Sequence, residues 1–438
     1  MTSPRSRIDN FFRLVWRWHF WAGLIACPVL LVLSATGGLY TFRDEIEDER
    51  NSELVFVNSR GERKPLSEQL VAVKAGYPES KPVSAVVRAD AGRSTVVAIL
   101  PPPAGADPAV PYVVYVDPCT EEILGGGPAR SPFFAGVLKL HRSLFAGIPG
   151  RIVTELTTSW TVVLLASGLY LWWAKLRIQW LPRLRANRYT ALRDLHSLTG
   201  VIVLPAIALL AVTGLFFSVV WLESFNAISG NAGNFPPSMR VRAASGTANP
   251  VPVDSVLDEA IRRWPGCDYT VALPSKPGEA PSVTIRSAGS GTRLGTLQVD
   301  PATGDMRDIR AENLSLAEQA RLWVFPVHTG SVAGTPTKIL ALLACFALSG
   351  LATSGVWMWL IRRGRGRTGF PRRPEEARIP KPAVMLILIL AVAFPTVGLS
   401  LIVVLLGEWL YGITYRNFAH ISSRRMVVMS ARAAESSK

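Results

Sequence analysis

Five apolar runs punctuate the chain, at about 20–42, 152–174, 197–222, 339–361 and 383–407. As a helix rising about 1.5 Å per residue, each is long enough to cross roughly 30 Å of hydrocarbon. All lack charged side chains except the second, which carries Glu155 near its start. Trp172, Trp173, Trp221, Trp357 and Trp359 stand at run ends, where indole rings suit the headgroup boundary. Pro395 interrupts the last run, but halves of about 12 residues would be too short for two crossings, so it is read as one fifth helix.

Two polar segments of about 100 residues separate these runs. Within them, β-branched and aromatic stretches at 84–87, 94–100, 112–116, 269–273, 282–285 and 294–299 are bounded by Gly, Pro and Asp. That is the pattern of strands joined by turns. Helices are expected at 66–75 and 253–263, so each polar segment forms a small α+β unit.

The chain also repeats itself. His19, Gly23, Pro28, Thr36 and Gly37 recur as His196, Gly200, Pro205, Thr213 and Gly214 with every offset preserved. His141, Ala146, Gly147, Arg151, Ser167, Gly168 and Trp172 recur as His328, Ala333, Gly334, Lys338, Ser354, Gly355 and Trp359. Val116-Asp117-Pro118 and Val299-Asp300-Pro301 are each followed two residues later by Thr. The expected architecture is a mainly α membrane protein of duplicated two-helix units plus a fifth helix, with two extracytoplasmic α+β units. Its boundaries are 1–42, 43–140, 141–222, 223–327, 328–382 and 383–438.

Composition supports the membrane assignment: 49% hydrophobic residues against 18% charged is too apolar for an ordinary soluble enzyme. A net charge of +15 would suit nucleic acid until the charges are placed. Segments 1–18, 175–195 and 362–381 together net +14, whereas 43–140 and 223–327 net −3 and −1. The excess is a topology signal that puts the N-terminus and the three basic segments in the cytoplasm, and no nucleic acid is implied. A five-span chain should then end outside, yet 408–438 nets +3. The first run lacks a small-residue cleavage site and reads as a retained helix.

Four of the five histidines occupy repeated positions at the mouths of the first four spans. A duplication that preserves orientation relates the halves by an axis along the membrane normal, so the copies share a depth. His19 and His196 are therefore expected together on the cytoplasmic side, and His141 and His328 together on the other. Two imidazole nitrogens about 4 Å apart suit the axial positions of a haem iron. Neither pair has a repeated Cys, Asp or Glu to complete a zinc site. Gly23, Gly200, Gly147 and Gly334 leave room for a flat macrocycle, and Arg151 and Lys338 are placed to meet propionates. Without a C-x-x-C-H motif, any haem is non-covalent and b-type. His420 reads as a surface residue, Cys119 and Cys267 as incidental thiols, and Cys27 and Cys345 as helix-core residues. Glu155 and Glu223 are interfacial carboxylates. Trp160, Tyr170 and Phe346 lie in sequence between the two depths.

The Trp-Arg-Trp-His run at 16–19, the segments LHRSLFAG and VHTGSVAG around His141 and His328, and the V-D-P-x-T turns resemble the PepSY-associated transmembrane helix family. The resemblance spans nearly the whole chain. It implies two PepSY-like units and an iron-regulated protein of the bacterial inner membrane, of the kind that includes two-haem ferric-siderophore reductases. His19, His141, His196 and His328 stand where that family's haem ligands would be. The implied partners are a ferric siderophore outside and a separate donor, a reductase or quinol, because the flavin or nicotinamide domain of some relatives has no counterpart here. Two rival readings follow: a non-catalytic PepSY protein binding a periplasmic partner, and a siderophore or metal permease. The second would want a polar path, and Glu155 is the single charge in any span.

Overall fold

The computed structural model describes residues 4–58, 61–107, 110–174, 180–229, 251–276, 279–290, 292–301, 303–363, 368–371, 379–404 and 406. His420, Ala302, the 408–438 tail and most of the basic segment 362–381 lie outside them. The chain opens with α1 (Pro4–Thr41), followed by α2 (Arg43–Arg50), α3 (Ser52–Val55) and α4 (Leu66–Gly76). Then come β1 (Lys81–Val87), β2 (Thr95–Leu100), β3 (Tyr112–Val116), β4 (Ile123–Pro128), α5 (Pro132–Ser143) and α6 (Gly147–Trp173). Next are α7 (Arg188–Leu215), α8 (Val220–Ser229), α9 (Val253–Arg263), β5 (Cys267–Ala272), β6 (Ser282–Ser287), β7 (Arg293–Val299) and β8 (Met306–Arg310). α10 (Leu316–His328), α11 (Thr335–Arg362), α12 (Lys381–Ala393) and α13 (Pro395–Val404) complete the described chain.

Among the described residues, four single helices are long and apolar enough to cross a membrane, Asn10–Thr41, Gly147–Trp173, Arg188–Leu215 and Thr335–Arg362, and the bent pair Lys381–Ala393 with Pro395–Val404 passes only if counted as one span. They form a bundle in which α1 and α7 each pack against both α6 and α11. The chain is thus a multi-pass membrane protein, mostly helical, carrying a sheet region.

Two apolar runs depart from expectation. The third was expected to continue to 222, but α7 ends at Leu215 and α8 starts at Val220. The reason is Glu155 on α6. Its buried carboxylate accepts hydrogen bonds from the amides of Val219, Val220 and Trp221, each at 2.9 Å. A carboxylate among the orphan amides of a helix start stabilises the new helix and its dipole. Glu155 is therefore an internal cap rather than an interfacial carboxylate. The expected single fifth helix is instead α12 and α13, bent by 119° at Phe394. Pro395 has no amide hydrogen to continue the ladder, so the helix stops before it and restarts with the proline at its first position. The pair packs back on the bundle: Trp160 Nε1 donates to Ser400 Oγ at 3.1 Å, and Trp221 Nε1 donates to the Ala393 carbonyl at 2.9 Å.

The polar segments build one antiparallel sheet in the order β4-β3-β2-β1-β5-β6-β7-β8. Each segment supplies four strands, and β1 meets β5 at the middle with Ser84 opposite Ala272 and Val87 opposite Tyr269. Alternation along the strands sends Val87, Val97, Val114, Val271, Val283 and Leu297 into one core, each at most 1% exposed. At roughly 1.5–3 kcal/mol per fully buried aliphatic side chain, this face dominates the stability of the sheet. α4 and α9 cover it, and the Ser67 amide at the start of α4 donates to Asp254 Oδ1 at the start of α9. The sheet is tied to the bundle through Ser131, whose amide donates to Glu47 Oε1, and through Ser290 Oγ, which donates to the Val332 carbonyl.

Candidate functional site

α5 and α10 are separate helices that lie against the bundle and carry His141 and His328 in their last turns. The chain turns sharply after each. Leu144 and Phe145 take positive φ before α6, and Gly147 and Gly334 do so at φ 60° and 67°. These two glycines therefore make turns rather than room for a ligand. Gly23 and Gly200 do line a cavity, described below.

The structure brings the histidines together in the expected pairs. His19 and His196 have ring centroids 6.5 Å apart, and His141 and His328 have centroids 6.3 Å apart. Along α1, 17 residues separate His19 from Thr36, the partner of His141, so the pairs stand roughly 25 Å apart near opposite ends of the bundle.

Each ring is seated the same way. His19 Nδ1 meets Ser167 Oγ at 2.9 Å, His196 Nδ1 meets Ser354 Oγ at 2.9 Å, His141 Nδ1 meets Thr36 Oγ1 at 2.9 Å, and His328 Nδ1 meets Thr213 Oγ1 at 3.2 Å. Every one of these hydroxyls gives its own hydrogen to a carbonyl of its own helix, one turn back. The hydroxyl oxygen is thereby left to accept, so Nδ1 carries the proton and Nε2 keeps its lone pair. His328 adds a second indication, since its Nδ1 also lies 3.1 Å from the Leu210 carbonyl, which can only accept.

The residue after each hydroxyl is glycine. A methyl group at Gly37 or Gly214 would stand 3.1 or 3.0 Å from Cε1 of His141 or His328, and one at Gly168 would stand 3.3 Å from Cε1 of His19. Gly355 lies behind His196 with ordinary clearance, 3.8 Å. The repeated Ser/Thr-Gly dipeptides are thus histidine seats: the hydroxyl sets the tautomer, and the missing side chain admits the ring. Sequence reading marked these dipeptides as repeated without giving them a role.

Among the described residues, no group of three or more His, Cys, Asp or Glu side chains is placed to hold a metal ion. Two bare Nε2 atoms do not make a four-ligand zinc site. They do suit a metal that brings its own four equatorial nitrogens. Fe–N bonds of about 2 Å, plus about 1.1 Å from nitrogen to ring centre, would set two axial imidazoles about 6.2 Å apart, centroid to centroid. Both measured distances match that span.

A cavity of about 690 Å³ lies around His19 and His196, lined by Gly23, Gly200, Leu30 and Leu204 along its apolar walls. Its volume is in the range of small-molecule and cofactor sites. Arg183, Arg193 and Arg362 line the same cavity. Arg183 and Arg193 both hold Asp194, and Arg362 lies over the Trp16 ring at 4.6 Å. These three arginines belong to segments that the sequence presented only as a topology signal.

Arg151 and Lys338 are engaged by protein groups. Arg151 donates to the Phe217 carbonyl at 3.0 Å, and the buried Lys338 pairs with Glu45 at 2.8 Å. Trp160 packs toward α13, Tyr170 stacks edge-on with Phe11, and Phe346 faces outward from the bundle. All four cysteines are free, with Cys27 and Cys267 buried.

Removing a seat tests its role. In the Ser167→Ala, Ser354→Ala double variant, Nδ1 of the first pair loses its acceptors, and ligand affinity at that pair falls about 10–100-fold. With haem, the ligand expected from the sequence, retention on dilution would read the effect, Thr at both positions would restore it, and an unchanged off-rate would contradict the assignment.

A four-helix bundle holding two histidine pairs near its opposite ends, joined to an eight-stranded sheet, defines a class of multi-pass membrane protein. The family model for the PepSY-associated TM region matches residues 16–362, and the chain belongs to that family. No curated protein matches the chain.

Proposed function

We propose that this protein is a two-haem, b-type electron relay of the bacterial inner membrane that reduces a ferric siderophore on the outer side. The N-terminus and the His19 end of the bundle face the cytoplasm, and the sheet faces outward. Two copies of one helix-pair and α+β unit account for the matching histidine seats. Four crossings, rather than five, return the chain to the cytoplasmic side, which removes the conflict with the basic residues beyond 408.

The observation that carries this reading is the pair of imidazole spacings, 6.5 and 6.3 Å, with Nε2 left bare in each ring. When bound, haem would supply a one-electron centre at each end of the bundle. The chain's own residues provide the rest. Ser167, Ser354, Thr36 and Thr213 fix the tautomer and aim the ligating nitrogens. Arg183, Arg193 and Arg362 offer guanidinium groups to propionates at the cytoplasmic mouth of the inner cavity, in the role the sequence suggested for Arg151 and Lys338.

The net reaction moves one electron from a cytoplasmic-side donor to Fe(III) in the chelate, leaving Fe(II) and free chelator. A reduced protein supplies that electron directly, whereas a quinol reduces two ferric ions and releases two protons. Release follows because hard oxygen ligands hold Fe(II) far less tightly than Fe(III).

Detergent-purified protein from haem-replete cells is expected to give a b-type reduced-minus-oxidised spectrum with two haems per chain. A colourless preparation overturns the proposal.

A further inference from the structure

A second cavity lies outside the bundle, on the sheet. It encloses about 350 Å³ between β7, β8 and the first turns of α10. Its walls include Trp264 and Trp323, and its polar lining is Thr292, Arg293, Arg310, Glu312 and Gln319. Asp308 and Glu312 both pair with Arg310, which leaves Arg293 as the lining cation with no carboxylate partner among the described residues.

The cations are held in different ways. Arg310 stacks over Trp264 at 5.3 Å while its Nε bonds Asp308 at 2.8 Å, and Glu312 is a looser partner at 3.8 Å. Arg293 bonds Thr296 through Nη2, but its Nε is buried with no hydrogen-bond partner. Burial, with Arg286 adding a like charge, lowers Arg293 to about 10, which leaves it cationic at neutral pH. A buried guanidinium N–H without an acceptor is costly, and an anionic oxygen reaching it would remove that cost. Two indole side chains beside the same cations favour a flat ring over an aliphatic anion.

The site belongs to one half of the chain. Leu322 and Trp323 stand six and five residues before His328, whereas Ala135 and Gly136 hold those places before His141. Its position is pointed, since Trp323 and His328 lie on the same helix, five residues or about 7.5 Å apart along the axis.

The geometry points to this cavity as a binding site for a flat aromatic ring bearing anionic oxygens, the chemistry of a catecholate or salicylate arm of an iron chelate. It deepens the reductase reading and rests on it for the ligand's source, because a chelate docked there would sit against the helix that carries His328. The volume fits one arm, so the remainder of a larger chelate would lie outside the cavity.

The test is calorimetric titration of the full chain in detergent, oxidised and without donor, using 2,3-dihydroxybenzoate and its ferric complex as probes. Saturable binding is expected, about tenfold weaker in Arg293→Met and in Trp323→Ala, and partly recovered in Arg293→Lys. Cyclohexanecarboxylate, which has charge but no aromatic face, and inorganic phosphate should bind more weakly than either probe. Absence of saturable binding, equal binding of phosphate, or variants that match the parent each overturn the assignment. Gel-filtration profile and helical circular dichroism establish that the variants fold, and Arg293→Lys keeps the test decisive if Arg293→Met does not. No electron moves in this titration, so the two readings fail separately. Binding to a haem-free protein would keep the cavity and sink the relay, and two haems without binding would do the reverse.

Discussion

Purified His141→Ala protein is expected to carry one haem per chain, the inner one, with its spectrum unchanged, and to have lost ferric-chelate reduction. His328→Ala should behave identically, because in the proposed relay His141 and His328 would hold the outer haem together and neither has a substitute nearby. Thr36 and Gly37 seat His141 on α1, while Thr213 and Gly214 seat His328 on α7, so each variant leaves the other ring in place. The inner pair lies roughly 25 Å away and draws on Ser167 and Ser354 instead. Electrons should still enter, so a donor-reducible spectrum without turnover is the expected signature. Loss of both haem signals from a well-folded variant would refute two independent sites.

The largest stability effect is expected at Glu155. Its carboxylate receives three backbone amides where α7 gives way to α8, at 2% exposure. Glu155→Ala leaves three donors without an acceptor in a place water does not readily reach, and should cost roughly 3–5 kcal/mol. Glu155→Gln keeps one carbonyl oxygen and should cost about half as much. Thermal unfolding in detergent, followed by helical circular dichroism, measures both. Equal melting temperatures for the parent and Glu155→Ala would show that the amides find other partners.

Much of this arrangement was legible in the sequence, and the exceptions have physical causes. Six strands and both sheet-covering helices announce themselves by β-branched alternation or helical spacing. β4 escapes because Gly125, Gly126 and Gly127 give it no alternating side chains, and β8 because Arg307, Asp308 and Arg310 make it read as a loop. Both are edge strands, where the sheet demands least of the side chains. The end of α7 and the break between α12 and α13 depend on a tertiary contact and a proline bend that hydropathy does not see. The histidine pairing was legible because duplication repeats offsets. The seats were visible as repeated dipeptides, but their role appears only when the hydroxyl from one helix is seen against the ring from another. Arg183, Arg193 and Arg362 illustrate the opposite difficulty: a sufficient reason for basic residues, membrane topology, concealed their place in the lining of the inner cavity.

The meeting of β1 and β5 bears on how this molecule can move. A carrier that works by alternating access must let its two halves rock about a central site. Here the halves are sewn together outside the bundle by main-chain hydrogen bonds along a seam running from Ser84 to Val87 and from Tyr269 to Ala272. Opening that seam would expose unpaired amides and carbonyls on both sides, and the valines beneath it. Such a frame suits a device whose working parts must keep fixed separations, because electron passage falls off steeply with distance, and it resists the hinge that a permease would need.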